Sequence, residues 1–276
     1  MVRSHVKPIR PNFERPPLAE QAISLLFDPI EQFRIVDYGL YWQQIADQFP
    51  HVSSDAPIEA PVEHFGGFRP TDIQFKLLTV PPLPRASFSG EAGELVVVQP
   101  DRFGFNWAKV GDAAYPRSEK LMERFRELFA GFASYVEKQR LGGITFRQCE
   151  LTNLNVIPVA DFGIDFADMA NAFRVDPLDL GVDFLRAETY IRNRQHVILG
   201  DGGQPVGRLH MNISPVVSTH DQSKAFRFEL TARSGRQIDS VAAADKFFEL
   251  ARDAINGAFL ATVTEKMKGI WGEANG

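Results

Sequence analysis

A single cysteine, Cys149, stands among 276 residues, so no disulfide can close within the chain. The six histidines are scattered, and an ordinary structural zinc site is excluded with them. No stretch approaches the roughly 20 apolar residues that cross a bilayer. The basic opening Met1-Val2-Arg3-Ser4-His5-Val6-Lys7 leads into no apolar run and no cleavage site, so no signal peptide is expected and the cytosol is the expected compartment. Cations are also in deficit. With 30 Lys and Arg against 35 Asp and Glu, the net charge of −5 weighs against a nonspecific nucleic-acid binder, which concentrates positive charge, but leaves room for a local basic face. The familiar catalytic signatures are missing too. There is no Gly-x-x-x-x-Gly-Lys loop, no Gly-x-Ser-x-Gly elbow and no His-Glu-x-x-His pair, so no catalytic residue, metal or cofactor is expected, and an enzyme is disfavoured.

What is abundant is phenylalanine, 23 residues against 5 tyrosines, which points to strongly aromatic packing within an ordinary soluble composition of 44% apolar and 24% charged residues. The chain also echoes itself. Tyr38-Gly39-Leu40 matches Phe162-Gly163-Ile164, Trp42 matches Phe166, Ile45-Ala46-Asp47 matches Met169-Ala170-Asn171 and Phe49 matches Phe173, all at an offset of 124 (162 − 38). Two related lobes, 1–142 and 143–276, follow from that register.

In the first lobe the apolar run 22–27, stopped by Asp28-Pro29, predicts a strand, and residues 37–49 predict a helix with Asp37 as N-cap. A proline-rich linker, 55–61, precedes strands at 71–80, 94–99 and 102–107, the last two a hairpin about Pro100-Asp101. Leu121, Phe125, Leu128, Phe129, Phe132, Tyr135 and Val136 share one face of a long helix from Ser118 to about Leu141, with Gly142-Gly143 as its stop. The second lobe repeats the order: a strand at 144–157, a helix at 162–173, strands at 184–192, 206–213 and 225–232, and a closing helix at 241–268 whose buried stripe is smaller in volume. The expected class is α+β, a tandem duplication of a strand-helix-strands-helix unit with antiparallel sheets backed by long helices. That arrangement resembles the duplicated, pseudo-twofold fold of TATA-box-binding proteins.

Strand alternation assigns candidate residues to the face turned away from the helices. In the second lobe these are Glu188, Tyr190, Arg192 and Arg194, then Arg208, His210 and Asn212, then Arg227, Glu229 and Thr231. In the first lobe they are Gln74, Lys76, Arg102 and Asn106. Arginine forks there suit an acidic protein surface or a phosphate-bearing ligand, while an ordinary wet sheet face with cross-strand Arg–Glu pairs accounts for the same pattern. His210 beside Glu229 is the best acid-base pair available, and equally an ordinary hydrogen-bonded pair. Gly200-Asp201-Gly202-Gly203 reads as a hairpin turn, and Ser218-Thr219-His220-Asp221 as a loop whose adjacent residues cannot stack into a relay.

Pro16-Pro17 with Glu20, the string Gln99-Pro100-Asp101-Arg102-Phe103-Gly104-Phe105-Asn106-Trp107, Tyr115-Pro116-Arg117 and Trp271-Gly272 together resemble a sporadically distributed, uncharacterised bacterial protein family of about this length. The resemblance covers nearly the whole chain and implies no activity, cofactor or catalytic residue. The patchy distribution of such a family hints at mobile or defence-associated gene neighbourhoods. The reading from sequence is therefore a non-enzymatic regulatory protein that docks a protein partner, in a phage-defence or toxin-neutralising setting. Its rivals are a nucleic-acid or nucleotide sensor using Arg192, Arg194, Arg208 and Arg227, and a hydrolase or nuclease around His210 and Glu229.

Overall fold

A computed structural model describes residues 9–59, 63–65, 82–111, 113–174, 192–236 and 238–273. The apolar run opening the chain is strand β1, Leu18–Phe27, and the next segment is helix α1, Ile35–Ile45. Strands β2 (His51–Asp55), β3 (Arg85–Ser89), β4 (Glu94–Gln99) and β5 (Arg102–Ala108) lead to helix α2, Ser118–Lys138. Strand β6 (Phe146–Pro158) is followed by two 3-10 turns, Val159–Asp161 and Phe166–Asn171, and then by β7 (Arg192–Leu199), β8 (Pro205–Val217) and β9 (Lys224–Ser234). Helices α3 (Val241–Thr262) and α4 (Glu265–Ile270) close the chain. The fold is α+β, with a nine-stranded antiparallel sheet ordered β2-β3-β4-β5-β1-β6-β9-β8-β7 among the described residues.

The chain divides into two compact units, one of residues 1–21, 151–233 and 248–276, the other of 22–150 and 234–247. Each takes most of its residues from one sequence half and a short piece from the other. In the second unit Phe132 is fully buried, and its ring lies 5.1 Å from Phe103, 5.3 Å from Tyr41, 6.2 Å from Phe27 and 6.4 Å from Phe33. The first unit has its own aromatic cluster, in which Phe173 meets Phe226 and Phe228 edge-on at 5.6 Å and Phe228 stacks on Phe259 at 6.0 Å. The phenylalanine excess is thus used as core.

Several local expectations need correction. Asp37 is not the N-cap of α1 but lies inside its first turn, where its carboxylate accepts the Arg34 amide at 2.6 Å and the Tyr135 hydroxyl at 2.7 Å. Burial first, and the Asp37 carboxylate second, push the Tyr135 phenol above its ordinary range. Helix α2 ends at Lys138, before the glycines, because Arg140 takes a left-handed conformation (φ 55°) and the Leu141 amide turns back to the Val136 carbonyl at 3.0 Å. The second copy of the echoed segment is no α-helix. Asp168 accepts the backbone amides of Ile164 and Asp165 at 3.0 and 3.1 Å, and Asp165 accepts that of Phe166 at 2.7 Å, so the segment is a capped 3-10 turn, Phe166–Asn171, followed by the bridge of Phe173 to Val263. The closing helix breaks at Val263-Thr264, where Val263 bridges Phe173 and Thr264 caps α4. Strands β2, β3 and the length of β7 beyond Arg192 were not anticipated, while the strand expected at 71–80 and residues 184–191 of that expected at 184–192 lie outside the described residues.

Cys149 lies wholly buried on β6, its amide bonded to the Ser234 hydroxyl at 2.9 Å, and burial pushes its thiol up to about 12. A thiol reagent at pH 8 is expected to leave the native protein unmodified and to titrate one thiol in denaturant. Stoichiometric labelling of the native state would contradict this burial.

Candidate functional site

The strands that carry most candidate residues are β7, β8 and β9, all largely within the first unit. Gly200 to Gly203 form the β7–β8 turn, closed by the Gly200 amide on the Gln204 carbonyl at 2.9 Å, with Gly202 and Gly203 at φ 86° and 79°. Those angles favour glycine. A register irregularity at Ile198/Leu199 then sets Arg192 opposite Ile213, Arg194 opposite Met211 and His196 opposite Leu209. Directly opposed residues share a sheet face. Arg192 and Arg194 therefore lie with the apolar side of β8, not with Arg208, His210 and Asn212, which oppose Val197, Gln195 and Asn193. The expected single arginine platform is two separate groups.

The first group is polar and turned away from the core. On β9, Phe226, Phe228 and Leu230 are buried, and the alternate residues Arg227 and Glu229 form an ion pair at 2.5 Å. Arg233 lies 3.4 Å from His210 Nε2, and Thr231 exchanges a 2.9 Å hydrogen bond with Thr152. The carboxylate of Glu229 is thus held by Arg227 and not by His210, so the candidate acid-base pair does not assemble. The Ser218 to Asp221 segment is the β8–β9 turn. Hydroxyls of Ser218 and then Ser223 hold the Asp221 carboxyl down to about 2, which keeps it a charged acceptor within the turn.

The second group lines a cavity of about 410 Å³ between β7, β8 and the C-terminal part of α3. Leu209, Met211 and Ile213 form its floor, Gly257, Ala258 and Ala261 its helical wall, and Arg174, Arg192, Arg194 and His196 its basic side. The Arg174 amide donates to the Thr262 carbonyl at 2.7 Å and its guanidinium meets Glu265 at 2.5 Å. Lys268 first, and Arg174 after it, hold the Glu265 carboxyl below the usual carboxylate range. Arg192 donates to the Arg174 carbonyl at 3.3 Å. Arg174, His196 and Arg233 were missed in the sequence. The one available signal for the cavity was the reduced volume of the closing helix's buried stripe.

In the second unit, Arg102 is buried, only 5% exposed, and pairs with Glu150 at 3.7 Å. Its strand neighbour Gln99 accepts the Ile58 amide at 2.9 Å and donates to the Ile58 carbonyl at 3.1 Å, so chain from the proline-rich linker crosses this side of β4. Ser87 and Val97, on the same side by register, are buried as well. Arg102 is therefore no open-face binding residue, and Asn106 beside it is half-buried opposite Leu95. Gln74, Lys76, Glu188 and Tyr190 lie outside the described residues.

Among the described residues no three His, Cys, Asp or Glu side chains gather as metal ligands, and no helix is long and apolar enough to cross a membrane. No family model, curated protein or solved structure matches the chain.

Proposed function

We propose that the chain is a non-enzymatic binding protein that docks an acidic protein surface through the polar face of β8 and β9, with Arg208, His210, Arg227 and Arg233 as its contact residues. One observation carries the reading: these side chains share one sheet face of the first unit, where Glu229 is taken up by Arg227. Guanidinium groups recognise carboxylates in bidentate fashion, and a cluster of arginines on one face of a chain of net charge −5 favours an acidic partner. The protein is further read as a tandem duplicate with a pseudo-twofold of the TATA-box-binding-protein kind. Element order supports this, since β1-α1-strands-α2 is followed by β6-turns-strands-α3, and the sheet order runs outward as β1-β5-β4-β3-β2 and as β6-β9-β8-β7. The resemblance to a sporadic bacterial family fits action in the bacterial cytosol, in a defence or toxin-neutralising setting.

The test is affinity purification of the tagged protein from its host at moderate salt, with mass spectrometry and nucleic-acid quantification on one eluate. A stoichiometric acidic protein is expected, and the double reversal Arg208→Glu/Arg227→Glu should reduce its recovery at least tenfold. An unchanged set of proteins in the reversed variant, or nucleic acid as the salt-sensitive companion, would overturn the reading.

A further inference from the structure

The cavity behind β7 and β8 lies on the sheet face opposite the docking residues and stands independently of them. It is a cleft of about 410 Å³ that opens to solvent along β7. It falls in the range of roughly 300–1,000 Å³ that small-molecule sites occupy. Its origin is local. Further up α3, Phe247, Phe248 and Ile255 fill the space over the sheet, but at Gly257, Ala258 and Ala261 the wall has no bulk to set against Leu209, Met211 and Ile213. Apolar floor and small-residue wall together leave a slot.

The mouth of that slot has the opposite character. Arg192, Arg194 and His196 alternate along β7, so successive members stand about 7 Å apart on one side of the strand. Among the described residues no hydrogen bond or ion pair engages Arg194, which is exposed, and Arg192 donates only to the Arg174 carbonyl. Among the described residues, the carboxylate at this end is Glu265, which Arg174 and Lys268 share. Guanidinium groups that no described carboxylate of β7 or β8 engages, set beside an apolar slot, are complementary to a molecule with an anionic head and an apolar body. A bare inorganic anion would leave the slot empty, and a neutral lipid would leave the guanidinium groups unused.

We propose that this cavity binds a small amphiphilic organic anion, its head held between Arg192 and Arg194 and its tail laid on Leu209, Met211 and Ile213. The probe is decanoate, titrated calorimetrically into the full-length protein below the micellar concentration, with decanol and acetate as the headless and tailless comparisons. Saturable decanoate binding near one per chain is expected, with both comparisons at least tenfold weaker. Loss of a hydrogen bond to a charged group weakens binding by about tenfold or more, so Arg194→Ala should show that change while the exposed Lys109→Ala, in the other unit, does not. Ala261→Phe should fill the slot and abolish binding; Ala261 is exposed, so circular dichroism should show a native fold, and Arg194→Ala remains decisive if it does not. The proposal is overturned by absent saturation, by decanol binding as tightly as decanoate, or by unaltered affinity in Arg194→Ala.

Discussion

Replacing Phe132 with Ala is expected to destabilise the protein by about 3–5 kcal/mol, the usual cost of emptying a fully buried aromatic site. Phe132 has no exposed surface and is the ring on which Phe27, Phe33, Tyr41 and Phe103 converge. Its removal takes away apolar burial and at least two ring contacts near 5 Å, those to Phe103 and Tyr41. Edge-on and offset pairs add about 0.5–1.5 kcal/mol each beyond area. Phe27, Phe103 and Tyr41 are themselves anchored in β1, β5 and α1, so the hole cannot collapse without moving backbone. Urea denaturation with the tryptophans Trp42 and Trp107 as reporters measures the change in the same unit. Phe132→Leu should recover more than half of the loss, and a loss under 1 kcal/mol in the Ala variant would show that the cluster is not centred there.

Arg102→Ala is the second large effect, expected at about 3–5 kcal/mol, because removing one partner of a buried ion pair leaves the other charge in a poor solvent. The geometry makes this a structural and not a binding residue. Both side chains are largely shielded, 6% and 15% exposed for Arg102 and Glu150, and Gln99 is bridged to Ile58 just beyond. Glu150→Leu alone should also destabilise. The double variant Arg102→Leu/Glu150→Leu should lose less than the two single Leu variants together, and a double-mutant cycle reads that coupling directly. Additive losses would mean the 3.7 Å pair contributes nothing and that Arg102 acts through its aliphatic stem.

The β7–β8 hairpin places two kinds of chemistry back to back. On one side Arg208 and His210 sit with the polar residues of β9, and on the other Arg192 and Arg194 edge an apolar slot. The docking and small-anion proposals consequently separate in mutagenesis, since reversal at Arg208 and Arg227 leaves the slot's lining intact, and Arg194→Ala leaves the polar face intact.

The sequence by itself determined the elements whose pattern is local. The apolar run of β1, the hairpin at Pro100-Asp101, the buried stripe of α2 and the strands β6, β8 and β9 all follow from periodicities of 2 and 3.6 that report which side of an element is buried. It also determined that the core would be built of phenylalanine. Tertiary structure alone decided which residues meet. The face of Arg192 and Arg194 depends on the register through a four-residue turn and the irregularity at Ile198/Leu199, and a one-residue difference moves a strand's side chains to the opposite side. Arg102 has the alternation of an open-face residue, yet linker chain near Ile58 crosses its sheet and Glu150 reaches it from β6. The echoed segments differ in outcome, an α-helix at Ile35–Ile45 and a 3-10 turn at Phe166–Asn171, although in both an aspartate accepts the N-cap backbone amide. Periodicity reports burial averaged along an element, but register and covering segments are set by contacts distant in sequence.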